Sequence, residues 1–478
     1  MSDPAPSLLF DLLASLTKAE FRDFQRWLGG RSPRRYANWQ RLGDFIYPKV
    51  RLRKLARLFP TPEEIYQNCL PDLSFSPSHW RRYQHDYLQE IETFLLERSR
   101  DQRPDRRRYE LVEMYRQRGL DRHFSIRLAQ ARRQAATYPI ADAESLLNAF
   151  YLERSAQRVN LRTDRSLAGG LLTQAAALRQ SLLALELRHS CQQLAMARLQ
   201  SDDVSQLEVR CQQLIDEAAA TAFYQQPAIE LYTYAARLYL SQDQSTGDQA
   251  FQSFQKTLRK HLEQFEPEEQ RDLLLIAINY ALRQANANRR EFLPQLFELY
   301  RKGLEEEILY ERGRLSIFTF TNAFGAALQI GQVDWAEQLL LQQYRLPPDR
   351  AEEVAALAAA RLAFLRKDYD QVLKELQKAD YRDFIHHMTA RLMQLKVYFA
   401  LSYYYLATSH ISSTRQLLRR KKEKSYHLQN YRNIFRLAAQ LLRQTNASVE
   451  QQARLRQQIE TTNPCTEKRW LLEQLDQG

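Results

Sequence analysis

Glycine and cysteine are both scarce in this chain of 478 residues. There are 12 glycines and four cysteines, whereas alanine, leucine, glutamine, glutamate, arginine and lysine abound. This balance disfavours a sheet with tight turns and favours helices. The cysteines, which are Cys69, Cys191, Cys211 and Cys465, are far apart and form no CxxC pair. We therefore expect reduced, packed thiols in a reducing compartment rather than disulfides or metal ligands.

Long apolar runs and targeting signals are also missing. The longest apolar runs, such as residues 273–278, are far shorter than the roughly 20 residues that a membrane-spanning helix needs. Residues 1–4 lack the basic and apolar regions of a signal peptide. We expect a soluble, cytoplasmic protein with no membrane span.

Sequence motifs for enzymatic chemistry are absent as well. The Gly-Gly pairs at 29–30 and 169–170 are isolated and belong to no phosphate-binding loop. His386 and His387 are adjacent, so on a helix they point about 100° apart and cannot easily chelate one ion. No nucleophile elbow or papain-like cysteine context occurs. We predict a non-enzymatic protein with no catalytic residue, metal site or cofactor.

Local signals predict helices and no strands. Thr17 and Glu20 have the spacing of a capping box, with a hydroxyl at the N-cap and a carboxylate three residues later. Thr61 precedes Pro62, which suits the first position of a helix, and two carboxylates follow. Residues 315–319 come nearest to a strand signal, but they continue into a helical pattern.

The pattern of composition predicts four regions. The polar segment SRDQRPDRRR, at residues 99–108, is the clearest change of composition. We predict an N-terminal helical head at 1–99, a charged linker at 100–108 and a long helical array at 109–440. A C-terminal helical cap at 441–478 completes the chain, where the apolar sequence WLL can cover the last exposed helix face.

Residues 314–424 come closest to a helical repeat. Gly331 separates two apolar helices, and residues 367–369 separate a second pair about one unit later. With Gly331 at the inter-helix glycine of a tetratricopeptide repeat, Ala336 and Pro348 fall at the later Ala and Pro positions of that motif. This resemblance covers about seventy residues and implies an all-α fold. The expected architecture is a right-handed α-solenoid of tetratricopeptide-like helix pairs.

Several phrases also resemble a family of uncharacterised bacterial tetratricopeptide-like helical-repeat proteins. They are QPAIE at 226–230, RDLLLIAINY at 271–280, EFLPQLFELY at 291–300 and KDY at 367–369. The resemblance covers most of residues 1–440 and implies one helical architecture. It implies no activity, because no catalytic residue or ligand is assigned to that family.

Positive charge is concentrated near the start of the chain. The formal net charge is +12, and residues 1–133 hold 26 Lys and Arg against 17 Asp and Glu. Three basic clusters lie beside aromatic residues and are candidate sites for a partner or nucleic acid. Their members are Arg31, Arg34 and Arg35; Arg103, Arg106, Arg107 and Arg108; and Arg419, Arg420, Lys421 and Lys422. Such groups neutralise phosphates, but they are equally typical of solvated faces and helix C-termini.

The sequence favours one function and leaves two others open. We expect a protein–protein interaction scaffold or adaptor whose helical-repeat groove binds another protein or peptide. One alternative is a basic-surface nucleic-acid-binding protein, although no recognised nucleic-acid motif accompanies the basic clusters. The other is a regulatory protein that senses a peptide or partner by hinging at the 100–108 linker.

Overall fold

The computed structural model describes residues 8–30, 33–51, 59–137, 142–163, 169–200, 203–241, 243–287, 289–421, 425–443 and 449–477. Within these ranges the chain forms 23 α-helices and one two-stranded sheet, so the all-α prediction is confirmed. None of these helices is both long and apolar enough to cross a membrane. The chain divides into two compact units, Met1–Tyr232 and Thr233–Gly478. The predicted boundaries at 99, 108 and 440 stay predictions.

The described part of the first unit begins with ten helices. They are α1 (Leu8–Ser15), α2 (Lys18–Gly29), α3 (Pro33–Arg51), α4 (Pro62–Cys69), α5 (Pro77–Gln102), α6 (Pro104–Gln117), α7 (Asp121–Thr137), α8 (Ala143–Thr163), α9 (Gly169–Gln200) and α10 (Ser205–Ala220). The Thr17 hydroxyl accepts from Glu20 N at 3.1 Å, and the Glu20 carboxylate accepts from Thr17 N at 2.8 Å. Thr61 and Glu64 form the same reciprocal pair. Both predicted helix starts are confirmed.

An aromatic core holds α1 to α5 together. The Phe21 ring stacks on Tyr47 at 3.9 Å between centroids, and Trp39 lies 6.0 Å from Tyr87. Phe24 is fully buried among them. Each such ring removes a large apolar area from water, so a few rings stabilise a small group of helices. A separate apolar cluster joins α6, α7 and α8.

The predicted linker lies at the junction of α5 and α6. Gln102 ends α5, Pro104 begins α6, and Arg103 stands between them. Residues 100–108 are therefore helical on both sides of one residue. Hinge motion at this junction stays a prediction.

The second unit is also built of helices. Helix α11 (Pro227–Leu240) crosses from the first unit into the second. The helices that follow are α12 (Gln244–His261), α13 (Pro267–Asn286), α14 (Leu293–Glu305), α15 (Ile317–Gln329), α16 (Val333–Leu341), α17 (Ala351–Leu365), α18 (Tyr369–Gln377), α19 (Phe384–Ala400), α20 (Tyr404–Arg420), α21 (Tyr426–Leu441), α22 (Val449–Thr461) and α23 (Lys468–Gln477).

A short antiparallel hairpin lies between α14 and α15. Its strands are β1 (Tyr310–Glu311) and β2 (Arg314–Leu315). Arg312 and Gly313 form the turn with positive φ angles of 53° and 73°, as in the two-residue turns that match strand twist. The prediction of no strands is wrong here. Strands of two residues are too short to give a periodic signal.

Three helix pairs in the second unit share one turn geometry. Gly331, Lys367 and Ser402 follow α15, α17 and α19 and have φ angles of 80°, 59° and 57°. In each turn the next backbone N–H donates to a carbonyl five residues earlier, as in a Schellman motif. The donor and acceptor residues are Gln332 and Ala327, Asp368 and Ala363, and Tyr403 and Tyr398, at 2.9, 3.0 and 2.8 Å.

The last two helices pack against the three helices that precede them. Helices α22 and α23 share an apolar cluster with α19, α20 and α21. Leu471 is fully buried in it, and the Trp470 ring lies 5.3 Å from the Phe399 ring. Lys396 Nζ also lies 2.7 Å from Glu467 Oε2. The WLL segment therefore contacts α19.

Candidate partner-binding groove

A groove runs between α12 and α14, with α13 at its base. Its cavity volume is about 550 Å³, within the range of about 300–1,000 Å³ that is typical of ligand clefts. The floor contains the buried side chains of Leu258, Leu262 and Leu274, together with half-buried Leu299. The first three leucines are already buried, so the apolar surface that a ligand can still remove from water is mainly that of Leu299 and the exposed Pro294.

The sequence of α12 explains why one of its faces borders the groove. The Asp243 carboxylate caps the helix by accepting from Thr246 N at 2.9 Å, which satisfies an otherwise unpaired donor. Ala250, Phe251 and Phe254 then bury one face at helical spacing. Gln252, Gln255 and Lys256 lie on another face and line the open depression beside the groove.

Helix α14 packs closely against α13 because residue 303 is a glycine. An ideal Cβ on Gly303 would lie 2.6 Å from Leu274 Cδ2 and 2.6 Å from Leu309 Cδ1. Only a residue without a side chain permits this approach. Leu296 and Phe297 are buried on the same side of α14. The position of the groove floor therefore depends on Gly303.

An ion pair fixes α12 against the segment that leads into α14. Arg289 Nη2 lies 2.6 Å from Asp248 Oδ2, and Arg289 Nη1 lies 2.9 Å from Asp248 Oδ1. Tyr280 of α13 donates to Asp248 Oδ1 at 3.1 Å. The hydrogen bond from Arg289 holds the pKa of Asp248 below its ordinary value, and the bond from Tyr280 adds to this effect. Burial, followed by the Asp248 charge, raises the pKa of Tyr280 to about 12.

The α12 side of the groove carries three exposed cations. The side chains of Lys256, Arg259 and Lys260 are exposed, and none forms a hydrogen bond or ion pair with any residue that the structure describes. A more open depression of about 530 Å³ extends over all three and shares Arg259 and Gln255 with the groove.

On the α14 rim, unlike the α12 rim, the charged side chains already form ion pairs with one another. Arg301 lies 2.5 Å from Glu298 and 3.5 Å from Glu305. Lys302 lies 3.7 Å from Glu306. These pairs are at helical i, i+3 and i, i+4 spacing and are partly exposed, so each contributes little to stability. The groove thus has an apolar floor, one matched rim and one cationic rim.

The first predicted basic cluster is only partly described. Arg34 and Arg35 lie in the first turn of α3, but their side chains are outside the described part of the structure. Arg31 lies outside the described residues altogether. Partner binding by these three residues stays a prediction.

The second predicted cluster makes internal contacts. The Arg103 side chain is 14% exposed, and its Nη1 lies 3.1 Å from Oδ2 of the buried Asp142. This pair ties the α5–α6 junction to the start of α8. Arg106 pairs with Glu110 on the exposed side of α6. The remaining members also lie on α6: Arg107 is exposed, and Arg108 donates to Pro104 O and Gln134 Oε1.

The third predicted cluster lies at the end of α20. Arg419 and Arg420 are exposed in the last turn, where positive charge complements the helix dipole. Lys421 Nζ lies 5.6 Å from the centre of the Phe384 ring. Lys422 lies outside the described residues. Arg432 donates to the Leu418 and Lys421 carbonyls and so satisfies two acceptors at the helix end.

The adjacent histidines have separate environments. His386 Nδ1 lies 2.7 Å from Oε1 of the buried Glu353, whose Oε2 accepts from Arg382 N at 3.1 Å. His386 therefore links α19 to α17. Burial lowers the pKa of His387, and the charge of Arg391 lowers it further. Among the described side chains, no three His, Cys, Asp or Glu residues are grouped to hold a metal ion.

The cationic α12 rim was not among the sequence-based site predictions. Lys256, Arg259 and Lys260 lie near a helix C-terminus, where basic residues are common. One signal does distinguish them, since residues 249–262 contain no aspartate or glutamate. The α14 side of the groove lies about forty residues further along the sequence, so its position across the groove from α12 depends on the tertiary fold.

Comparison with protein-family models, curated proteins and solved structures finds no match. The tetratricopeptide resemblance and the resemblance to bacterial helical-repeat proteins therefore stay predictions.

Proposed function

We propose that this protein is a non-enzymatic interaction scaffold that binds a segment of a partner protein in the groove between α12 and α14. The observation that carries the proposal is the apolar floor of Leu258, Leu262 and Leu299 between two charged rims. An amphipathic segment can bury one face on such a floor and present polar groups to the rims. The Gly303 contact and the Asp248–Arg289 pair support the proposal because they preorganise both walls.

We also propose that residues 317–420 form three tetratricopeptide-like pairs of a right-handed solenoid. The turns at Gly331, Lys367 and Ser402 are 36 and 35 residues apart, close to the repeat length of that class. The corresponding residues of the following helices are small or β-branched and fully buried. They are Ala336, Val372 and Ala407.

The nucleic-acid alternative receives less support at this groove. Glu298, Glu305 and Glu306 on the α14 rim already pair with Arg301 and Lys302, so this rim offers a phosphate backbone no net positive charge. The leucine floor lacks the stacked aromatic rings on which unpaired bases typically bind.

Selection from a random peptide library tests the proposed function. The full chain is offered phage-displayed 16-residue peptides, and peptides that also bind a Leu299→Arg variant are removed. Arginine at this position fills the groove and places a charge on its floor, so we expect groove-dependent peptides to remain. The matched control is Leu365→Arg, at an exposed leucine on α17, which should leave binding unchanged. If all peptides that bind the native chain bind the Leu299→Arg chain equally well, so that none remains after this removal, the proposal is wrong.

A further inference from the structure

We infer that the segment bound in the groove is amphipathic and acidic along one edge, an inference that rests on the proposed function of the groove. The evidence is the difference between the two rims. Lys256, Arg259 and Lys260 have no partner among the described residues, whereas the acidic side chains of α14 do. A partner with carboxylates on one side complements this arrangement.

No part of α12 neutralises its cationic rim. Residues 249–262 contain no acidic side chain. The nearest acidic residue on the same helix, Asp248, is held by Arg289 through two hydrogen bonds of 2.9 and 2.6 Å. The positive charge of Arg259 therefore faces the groove, and that of Lys256 and Lys260 faces the open depression that adjoins it.

The spacing of the cations indicates how the acidic edge is arranged. Lys256 and Lys260 are four residues apart and Arg259 is three from Lys256, so all three lie on one stripe of the helix. Side chains at this spacing are about 5–6 Å apart at Cβ. A helical partner matches them with acidic residues that recur every three or four positions. The opposite edge of that partner faces the matched α14 rim and needs little net charge.

An acidic peptide fits the groove better than an RNA or DNA strand. Phosphates along a nucleic-acid strand would approach Glu305 and Glu306 on the α14 side as well as the cations on the α12 side. A peptide can place carboxylates toward Lys256 and Arg259 alone and lay apolar side chains on Leu299. The asymmetry of the rims therefore favours a peptide.

The composition of groove-dependent peptides tests this inference. After selection on the full chain and removal of binders to the Leu299→Arg variant, we expect enriched peptides to be net acidic, with acidic residues three or four positions apart. Groove-dependent peptides that are neutral or basic would overturn the inference and leave the proposed function standing. A selection that yields no peptide dependent on Leu299 would contradict the proposed function itself.

Charge reversal then tests the individual cations. For an enriched acidic peptide, Lys256→Glu, Arg259→Glu and Lys260→Glu together should weaken binding roughly 10- to 100-fold at low salt. The matched control reverses three exposed cations of the same unit that also have no ion-pair partner among the described residues. These are Lys374, Arg443 and Arg454.

Binding by the control variant should remain within about twofold of the native chain. An equal loss in the two charge-reversal variants would mean that only the net charge matters, and it would overturn the inference. The corresponding glutamine variants provide a second test, because they remove charge with less risk to folding, which circular dichroism can verify. A single-stranded RNA that displaces the peptide through the same three cations would also overturn the inference.

Discussion

Replacing Gly303 by alanine tests how α14 is seated on α13 beneath the groove. The added Cβ would lie 2.6 Å from both Leu274 Cδ2 and Leu309 Cδ1. Carbon atoms pack best at about 3.5–4.0 Å, so each contact is about 1 Å too short. Both leucines are buried, which restricts their movement. The substitution therefore forces α14 away from α13 or moves the two leucines out of their rotamers.

Two opposing effects determine how much Gly303→Ala changes the stability of the helix. Alanine in place of glycine favours a helix by about 1 kcal/mol. Overpacking a filled core costs about 1–3 kcal/mol. Gly325 provides the control, because it lies within α15 and nothing lies within 4 Å of an ideal Cβ there. Gly325→Ala should gain the roughly 1 kcal/mol of helix propensity without any cost of overpacking. The two variants should thus differ by about 1–3 kcal/mol, or roughly 5- to 150-fold in a local opening equilibrium.

Amide hydrogen exchange measured by mass spectrometry on the full chain resolves this difference locally. Gly303→Ala should speed exchange in α13 and α14 relative to Gly325→Ala, which should slow exchange in α15. The groove should also bind its peptide more weakly, because Leu274 forms part of the floor. If both alanine variants slow exchange to the same extent, the close contact at Gly303 does not constrain α14 and the reasoning is refuted.

Three further predictions concern other contacts. The folded pKa of Asp248 is depressed, so its pair with Arg289 stabilises α12 fully above about pH 4 and loses that effect as the pH falls through the folded pKa. Asp248→Asn should remove the effect at neutral pH and flatten the acid dependence of exchange in α12. Thr17→Ala should destabilise the first five helices by about 1 kcal/mol in urea unfolding, and an unchanged midpoint would contradict the capping role. Lys367→Gly and Ser402→Gly should each raise thermal stability by up to about 1 kcal/mol, because both residues have positive φ. A loss of stability would show that their side chains matter more than the backbone conformation.

The sequence predicts local features well because their causes are local. Thr17 and Glu20 lie within one helical turn, so their reciprocal bonds follow from spacing alone. The turn after α15 can also be predicted locally, because its positive φ favours a glycine and Gly331 stands there. The turn at Ser402 is harder to predict. The backbone has the same turn geometry there, although serine replaces the glycine that favours a positive φ.

The groove could not be predicted from the sequence because its causes are distant in the chain. Lys256 and Lys260 look like ordinary residues of a helix C-terminus until α14 is placed beside them. That placement depends on Gly303 meeting Leu274 and Leu309, and a single glycine in a helical pattern does not identify its neighbours. Conversely, the sequence indicates Arg103 as a candidate binding residue of the predicted linker, but its guanidinium pairs with the buried Asp142.

Mapping the bound peptide on the full chain by hydrogen exchange tests the central claim most directly. A groove-dependent peptide should slow exchange in α12 and α14, and this protection should disappear in the Leu299→Arg chain and persist in the Leu365→Arg chain. Protection confined to other helices, or protection that survives Leu299→Arg, would contradict the assignment of the α12–α14 groove as the partner-binding site.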